Sequence, residues 1–334
     1  RPLYDLGAQS EPLFAFGLPT TVFALLFTAI AIGAFYFAEW VEQATTGRSV
    51  YLKCPMLKSM TVAVLRLAEQ GLIDLDAPVT DYLPYFSMAD ERYKEITVRM
   101  LLSHRAGLPD SPDFWQEPLD PAKNPLEQAV RDLSEMTLLF APDTEWSYSS
   151  YGYSALGAII AAVSGQPFER YIQQEWLEPL GMVNSTFVPG EVDPALAMTL
   201  YNGYKVDRLR ATAPQTDGRD ASAGNLWSSC EEMVLWAQLL LNDGETNGER
   251  FLQPESIEAM WGPLSSTGWM LGPAYSAPFE HYGLGWFVGE QDGHRLVGHM
   301  GAGDGINAQI LLAPDDGLAV IAMENWLDLG AATG

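Results

Sequence analysis

The segment that most constrains the fold runs from residue 140 to residue 182 and combines a polar turn with two successive helices. The polar residues around Tyr148 predict a tight turn, and the apolar stretch 152–163 predicts a buried helix. A second helix follows and ends at Pro179-Leu180-Gly181, where glycine is a common terminator. A tyrosine held at the start of a buried helix is therefore the first candidate for a functional side chain.

The composition excludes several classes of function. A chain of 334 residues can bury a large core and suggests about two domains. Its 43 acidic and 18 basic residues give a formal charge of -25, which disfavours nucleic acid and anionic lipid because both are negatively charged. Two cysteines and four histidines without metal-ligand spacing indicate neither a disulfide framework nor a zinc site. We therefore expect no metal and no cofactor.

Apolar periodicity predicts three further helices. Apolar residues recur every three or four positions in 56–70, and Gly71 would end that helix. The segment 96–108 predicts a short helix ending at Gly107, and 231–241 predicts a longer one.

The C-terminal third has the pattern of β-strands. Residues 282–288 predict one strand, and 295–300 a second that approaches the candidate site. Residues 306–312 and 318–323 predict a hairpin across the turn Pro314-Asp315-Asp316-Gly317. An antiparallel sheet is therefore expected from this part of the chain.

Three short segments resemble, in the required order, the signature motifs of the superfamily of serine β-lactamases, DD-peptidases and related esterases. The segments are Lys58-Ser59-Met60-Thr61, Tyr148-Ser149-Ser150 and His299-Met300-Gly301. The first is similar to the helical residues that continue from the lysine of a Ser-x-x-Lys motif. The second is similar to Tyr-x-Asn, and the third to Lys-Thr-Gly or His-x-Gly. The resemblance covers roughly residues 41–334.

The resemblance implies catalytic roles for Lys58 and Tyr148. Tyr148 would be the general base, or part of a pair that shares a proton with Lys58. A phenol has an ordinary pKa near 10, so it needs a nearby ammonium to ionise near neutrality. His104 is interpreted as a histidine that holds a loop in place, because superfamily members carry a structural histidine in that segment.

The other motif residues are implied to bind substrate. Ser150 would hydrogen-bond a substrate amide. Gly301 would let the substrate backbone approach the strand, and the amide of Ala302 would be one donor of the oxyanion hole. His299 occupies a position at which some members of the superfamily carry a lysine, which suits the carboxylate of β-lactams. DD-peptidase-like, aminopeptidase-like and esterase-like members carry a histidine there. We predict that Lys58, Tyr148 and His299 converge on one cleft.

The expected nucleophile is missing. Three residues before Lys58 stands Pro55, which has no hydroxyl and no backbone N–H. Because the nucleophile's own N–H normally completes the oxyanion hole, Pro55 would remove two functions together. Cys54 lies on the same helical face, but a buried inert thiol is the favoured interpretation, and Ser59 points about 100° away around the helix.

Residues 12–38 contain no charge and allow two structures. The stretch is long enough to span a bilayer as a helix. The resemblance instead implies the first two strands of the sheet, and we favour this hairpin because 284–323 would supply only about three strands. A third interpretation is that part of 1–57 departs from the natural sequence, which intact mass and peptide sequencing would reveal.

The expected fold is α+β. An antiparallel sheet flanked by helices on both faces would comprise residues 1–65 and 221–334, with an inserted all-helical domain at 66–220. The active site would lie in the cleft between them. Two segments would border it: 109–135 as a surface excursion and 198–219 as an irregular segment at the mouth.

Two functions from different classes follow. The first is a serine hydrolase that acts on a small ester, amide or peptide substrate through an acyl-enzyme. The alternative is a catalytically inactive binding or scaffold homologue that kept the cleft and lost the nucleophile. The resemblance also implies a location outside the cytoplasm, periplasmic or secreted, with membrane association through 13–38 if that segment is a helix.

Overall fold

A computed structural model describes residues 52–53, 59–110, 123–203, 210–212, 218–267, 279–303 and 305–328. The apolar segment 13–38, Cys54, Pro55 and Lys58 lie outside the described residues, so the hypotheses about them stay predictions. None of the helices in these ranges has both the length and the apolar composition needed to cross a membrane. The same ranges contain no cluster of histidine, cysteine and acidic side chains that could hold a metal ion.

The predicted helices are confirmed where the structure describes them, with one correction. The helix expected to end at Gly107 ends at Leu102, because His104 has a φ of 55°, outside the right-handed helical region. The described helices are α1 (Ser59–Glu69), α2 (Val79–Tyr82), α3 (Val98–Leu102), α4 (Pro125–Asp132), α5 (Ser150–Ser164), α6 (Phe168–Ile172), α7 (Glu178–Leu180), α8 (Ala221–Gly224), α9 (Cys230–Leu241) and α10 (Pro254–Met260). The apolar helix α5 begins where the Ser149 hydroxyl accepts a hydrogen bond from the Gly152 amide and ends at Gly165, whose φ is 72°. Helix α1 is followed by Gly71, with a φ of 71°.

Most of the strands lie in the C-terminal third. They are β1 (Leu52–Lys53), β2 (Leu200–Gly203), β3 (Arg210–Thr212), β4 (Trp227–Ser228), β5 (Glu245–Thr246), β6 (Glu249–Arg250), β7 (Ser265–Ser266), β8 (Phe279–Tyr282), β9 (Phe287–Gln291), β10 (His294–Gly303), β11 (Ile306–Ala313), β12 (Leu318–Glu324) and β13 (Trp326–Asp328). The described part of the main sheet is antiparallel, in the order β12-β11-β10-β9-β8-β7. The predicted hairpin is confirmed by the pairing of Ile310 with Ile321 in β11 and β12.

Two expectations about the strands are wrong. Residues 282–288 do not form one strand, because the chain turns at Gly285, where φ is 80°, and the Gly283 amide donates to the Trp286 carbonyl at 2.8 Å. The segment 284–323 contributes to four described strands, β9 to β12, and not to about three. Strands β7 and β8 extend the sheet further, so the count of strands no longer argues for a hairpin at 13–38.

Two segments are more ordered than the sequence predicted. The excursion 109–135 contains the amphipathic helix α4, which buries Leu126 and Val130. Proline at its first turn and the Asn124 cap, which accepts from the Glu127 amide, explain why a helix begins there. The segment 198–219 is not wholly irregular, since β2 pairs antiparallel with β3 and parallel with β13.

Apolar side chains cover both faces of the main sheet. On β11, Ile310 and Leu312 join a large core shared with α1, α5 and α9, whereas Leu311 and Ala313 join a smaller cluster with Trp146. This alternation is that of a strand buried on both sides. The chain therefore has the predicted α+β fold. Helix α1 runs through the predicted domain boundary at residue 65, and the division into two domains stays a prediction.

Candidate active site

The loop before α5 is fixed by His104, which confirms the interpretation of this residue as a structural one. His104 has a φ of 55° and is 2% exposed. Its Nδ1 accepts a hydrogen bond from the Ser149 amide at 3.1 Å, and its carbonyl accepts one from the Ser147 amide at 3.0 Å. A left-handed backbone is costly for a residue with a side chain, so these contacts hold the loop in one conformation.

Tyr148 lies against His104, with ring centroids 4.3 Å apart and planes inclined by 36°. Burial, and after it the negative charge that Tyr153 and Asp110 can carry, raises the pKa of Tyr148. The phenol is therefore protonated near neutral pH unless a cation lies close to it. The residue predicted to supply that cation, Lys58, is outside the described residues.

Ser150 begins α5 beside an acidic side chain. Its amide donates to the Asp110 carboxylate at 2.7 Å, and the neighbouring Ser149 hydroxyl donates to the Pro109 carbonyl at 2.8 Å. The first turn of α5 is thus tied to the segment that follows α3. The predicted contact of Ser150 with a substrate amide stays a prediction.

His299 lies on β10 at the point where one neighbouring strand stops. Strand β9 pairs with β10 only as far as Gly298, whereas β11 pairs with it through Gly303. From His299 onward, the β9 side of β10 therefore has no strand partner among the described residues. Gly301 and Ala302 lie on this segment, and Ala302 is exposed. This is where a substrate backbone could add to the strand, but the binding roles of both residues stay predictions.

Tyr282 connects the loop of His104 with the strand of His299. Its hydroxyl lies 3.3 Å from His299 Nε2, and its ring centroid is 5.1 Å from that of His104. We call the set His104, Tyr148, Tyr153, Tyr282 and His299 the aromatic junction. The structure thus brings Tyr148 and His299 into one cluster, although the two residues lie in different halves of the chain.

The start of α1 reaches the aromatic junction through Thr61. This residue is fully buried. A Cβ on Gly285 would lie 2.1 Å from Thr61 Oγ1 and 3.0 Å from the Tyr153 hydroxyl oxygen. Only glycine lets the β8–β9 turn pack so closely against α1. Lys58, three residues before Thr61 in the sequence, lies outside the described residues, so its convergence on the site stays a prediction.

Sequence reasoning missed Tyr153 and Tyr282 as site residues. Tyr153 lies inside α5, where it was counted as part of an apolar helix, and it donates to the Leu102 carbonyl at 3.1 Å. Tyr282 was assigned to a continuous strand. The one available signal was the pair Gly283 and Gly285, since glycines at alternate positions indicate a close approach of another segment.

Arg105 joins the loop of Tyr148 to the edge of the sheet. Its Nε donates to the Asp143 carboxylate at 2.6 Å, and its Nη1 donates to the Ser265 hydroxyl of β7 at 3.0 Å. Asp143 itself has a φ of 64°. The planar guanidinium can make both bonds at once, so Arg105 connects two walls of the candidate site.

The family to which this fold belongs follows from comparison with known proteins. The family model described as Beta-lactamase matches residues 38–332. The chain belongs to the beta-lactamase family. Penicillin-binding protein 4 of Amycolatopsis lactamdurans is 29% identical to it over 301 residues, 84% of this chain and 74% of that protein. Protein flp of Staphylococcus aureus (strain MW2) is 27% identical over 268 residues, which are 79% of this chain and 50% of that protein.

Solved structures of the beta-lactamase family share the fold. The octameric penicillin-binding protein homologue from Pyrococcus abyssi matches with a TM-score of 0.69 and 28% identity, covering 83% of this chain and 62% of that chain. EstCE1, a hydrolase with promiscuous acyltransferase activity, matches with a TM-score of 0.66 and 21% identity, covering 85% of this chain and 82% of that chain. The second likeness is one of fold alone.

Proposed function

We propose that this beta-lactamase family member is built for acyl transfer from a small ester or peptide-like amide, and that Pro55 prevents its serine chemistry. The observation that carries the proposal is that Tyr148 and His299 both belong to the aromatic junction. The junction lies beside the segment of β10 that has no strand partner on its β9 side among the described residues. A general base, a substrate-facing histidine and a strand edge are what acyl transfer in this family needs.

The proposed reaction needs a hydroxyl at residue 55. Tyr148, ionised beside Lys58, would take the hydroxyl proton while that oxygen bonds to the substrate carbonyl carbon. The leaving alcohol or amine would then receive the proton, and water would hydrolyse the resulting acyl ester. Because Pro55 supplies no hydroxyl, the first bond cannot form, and the chain would bind such substrates without acylation by serine.

Charge favours neutral or amine-bearing substrates over those that carry a carboxylate. The Asp110 carboxylate contacts the amide of Ser150 and contributes to raising the pKa of Tyr148, so it lies close enough to repel an anion. The third motif carries His299 in place of lysine. The formal charge of the chain, -25, would also repel a substrate that carries a carboxylate.

The proposal is tested by restoring the hydroxyl. Pro55→Ser should hydrolyse p-nitrophenyl acetate or a D-amino acid p-nitroanilide with kcat/KM about 10²-fold or more above the native chain. The matched control is Pro55→Ala, which restores the backbone N–H without a hydroxyl and should stay at the native level. Lys58→Met in the Pro55→Ser background should abolish the gain. Equal activity of native chain and Pro55→Ser would contradict the proposal.

The second candidate is a binding or scaffold protein without chemistry, and Pro55 is again the observation that favours it. It predicts that Pro55→Ser gains nothing, while the native chain binds a phosphonate analogue of the ester in calorimetry. Attack by the Cys54 thiol is tested with Cys54→Ala. If the thiol is the nucleophile, this variant loses any hydrolysis found in the native chain.

A further inference from the structure

Strand β1 ends at Lys53, two residues before Pro55, and is held by a single short strand among the described residues. It pairs with β4, Leu52 opposite Ser228 and Lys53 opposite Trp227. Each strand has two residues, and the two form a sheet of their own. Because so small a sheet is marginally stable by itself, contacts from outside the pair must hold β4 in place.

Glu232 is a buried carboxylate that joins the start of α9 to a distant segment. It lies in the first turn of α9 and is 7% exposed. Its Oε1 accepts hydrogen bonds from the backbone amide and the side-chain amide of Asn184, each at 3.1 Å. Its Oε2 accepts one from the Ser185 hydroxyl at 2.5 Å. Three donors of the segment that follows α7 therefore converge on one carboxylate.

This segment is bonded directly to β4. The hydroxyls of Ser185 and Ser228 lie 2.8 Å apart, and these side chains are 1% and 0% exposed. The Thr186 amide donates to the Trp227 carbonyl at 3.0 Å, and the Trp227 amide donates to the Thr186 carbonyl at 2.8 Å. Since β4 pairs with Thr186 along one edge and with β1 along the other, the contacts of Glu232 reach β1 through β4.

We propose that Glu232 is a positioning residue that holds β4, and through β4 the strand β1 that leads to residue 55. Without the carboxylate, the buried donors of Asn184 and Ser185 would lose their acceptor, which is costly. The segment would then open or shift, and β4 would lose its support. The inference rests on the proposed function only for the importance of residue 55, because the anchoring of β1 is measured without substrate.

The anchoring is measured by amide hydrogen exchange of the full chain, read by mass spectrometry in the peptides that contain β1 and β4. Glu232→Ala should speed their exchange about 10-fold or more by favouring local opening, and leave the middle of α5 unchanged. The matched control is Glu69→Ala, whose carboxylate accepts from the Gln253 amide and the Ser256 hydroxyl. It should leave β1 and β4 unchanged. A folded Glu232→Ala protein with native exchange there, or equal acceleration in Glu69→Ala, would overturn the proposal.

Two further variants separate the hydrogen bonds of Glu232 from its packing. Glu232→Gln should restore most of the protection, because its amide oxygen can accept from Asn184 and its amide nitrogen can donate to Ser185. Exchange as fast as in Glu232→Ala would contradict the role of these bonds. If Glu232→Ala does not fold, Ser185→Ala decides, since it removes the link to Ser228 and should speed exchange of β4 and β1 about 3-fold or more. Native exchange in Ser185→Ala would then refute the proposal.

A kinetic test follows once Pro55→Ser hydrolyses esters. Adding Glu232→Ala should lower kcat about 10-fold and leave KM nearly unchanged, because the new hydroxyl would be misplaced relative to the bound substrate. A raised KM with an unchanged kcat would contradict a positioning role. If Pro55→Ser is itself inactive, the proposed function fails, and the exchange rates still decide the role of Glu232.

Discussion

The two buried histidines of the site are held by different kinds of contact. His104, in the turn after α3, is bonded to the main chain of the loop before α5, through the amides of Ser147 and Ser149. His299 depends on a side chain, the Tyr282 hydroxyl. The Tyr282 ring contacts His104, and His104 in turn contacts Tyr153 in α5. The first arrangement needs the turn after α3 to meet the main chain of the loop before α5. The second needs a strand, a turn and a helix to meet, so a substitution in any of them should reach His299.

The largest effect should come from closing the space between the β8–β9 turn and α1. Gly285→Ala would place a Cβ 2.1 Å from Thr61 Oγ1 at a φ of 80°, and should lower the free energy of unfolding by about 3 kcal/mol or more. The control is Gly293→Ala, at a φ of 84° with no atom within 4 Å of the added Cβ, which should cost about 1 kcal/mol. Urea unfolding measures both, and equal costs would contradict the proposed close packing.

Replacing each of the two histidines with alanine should lower the free energy of unfolding by a different amount. His104→Ala removes the acceptor for a buried amide and should lower the free energy of unfolding by about 3 kcal/mol. His299→Ala removes the 3.3 Å contact with the Tyr282 hydroxyl and should lower the free energy of unfolding by about 2 kcal/mol. His104→Asn should recover part of the loss, because asparagine offers an acceptor and tolerates a positive φ. A larger cost at His299 than at His104 would reverse the comparison.

The buried phenols should make stability depend on alkaline pH. Burial raises the pKa of Tyr148, Tyr153 and Tyr282 above the ordinary value, so the unfolded chain releases these protons first. Their contribution is present below about pH 10 and is lost as the pH rises through the folded-state values. Tyr148→Phe should reduce the slope between about pH 10 and 11 by up to about 1.4 kcal/mol per pH unit. An unchanged slope in denaturant titrations would argue against a protonated Tyr148 with a raised pKa.

The smallest effect should come from the contact that Arg105 makes between the loop of Tyr148 and strand β7 at the edge of the sheet. Arg105→Lys cannot keep both the Asp143 and Ser265 bonds, and should cost about 0.5–1 kcal/mol. The control is Arg99→Lys, in an exposed pair with Asp76, which should change stability by less than about 0.5 kcal/mol. Thermal unfolding compares the two, and equal shifts would mean that the bridge to Ser265 contributes nothing.

The sequence predicted the parts of the molecule that local patterns encode. Helix α5 follows from an apolar stretch between a serine cap and a glycine, and the β11–β12 hairpin from alternation around Gly317. The place of Tyr282 in the site could not be predicted, because its partners His104 and His299 are brought to it by tertiary packing. The break at Gly285 was missed for the same reason: alternating residues there are typical of a strand, and the close approach to Thr61 makes the turn.

The most direct test of the account is the intact mass of the native chain after incubation with a fluorophosphonate or a fluorescent penicillin. The account predicts an unchanged mass, because Pro55 offers no hydroxyl to acylate, and one added label in Pro55→Ser under the same conditions. Stoichiometric labelling of any serine in the native chain would contradict it.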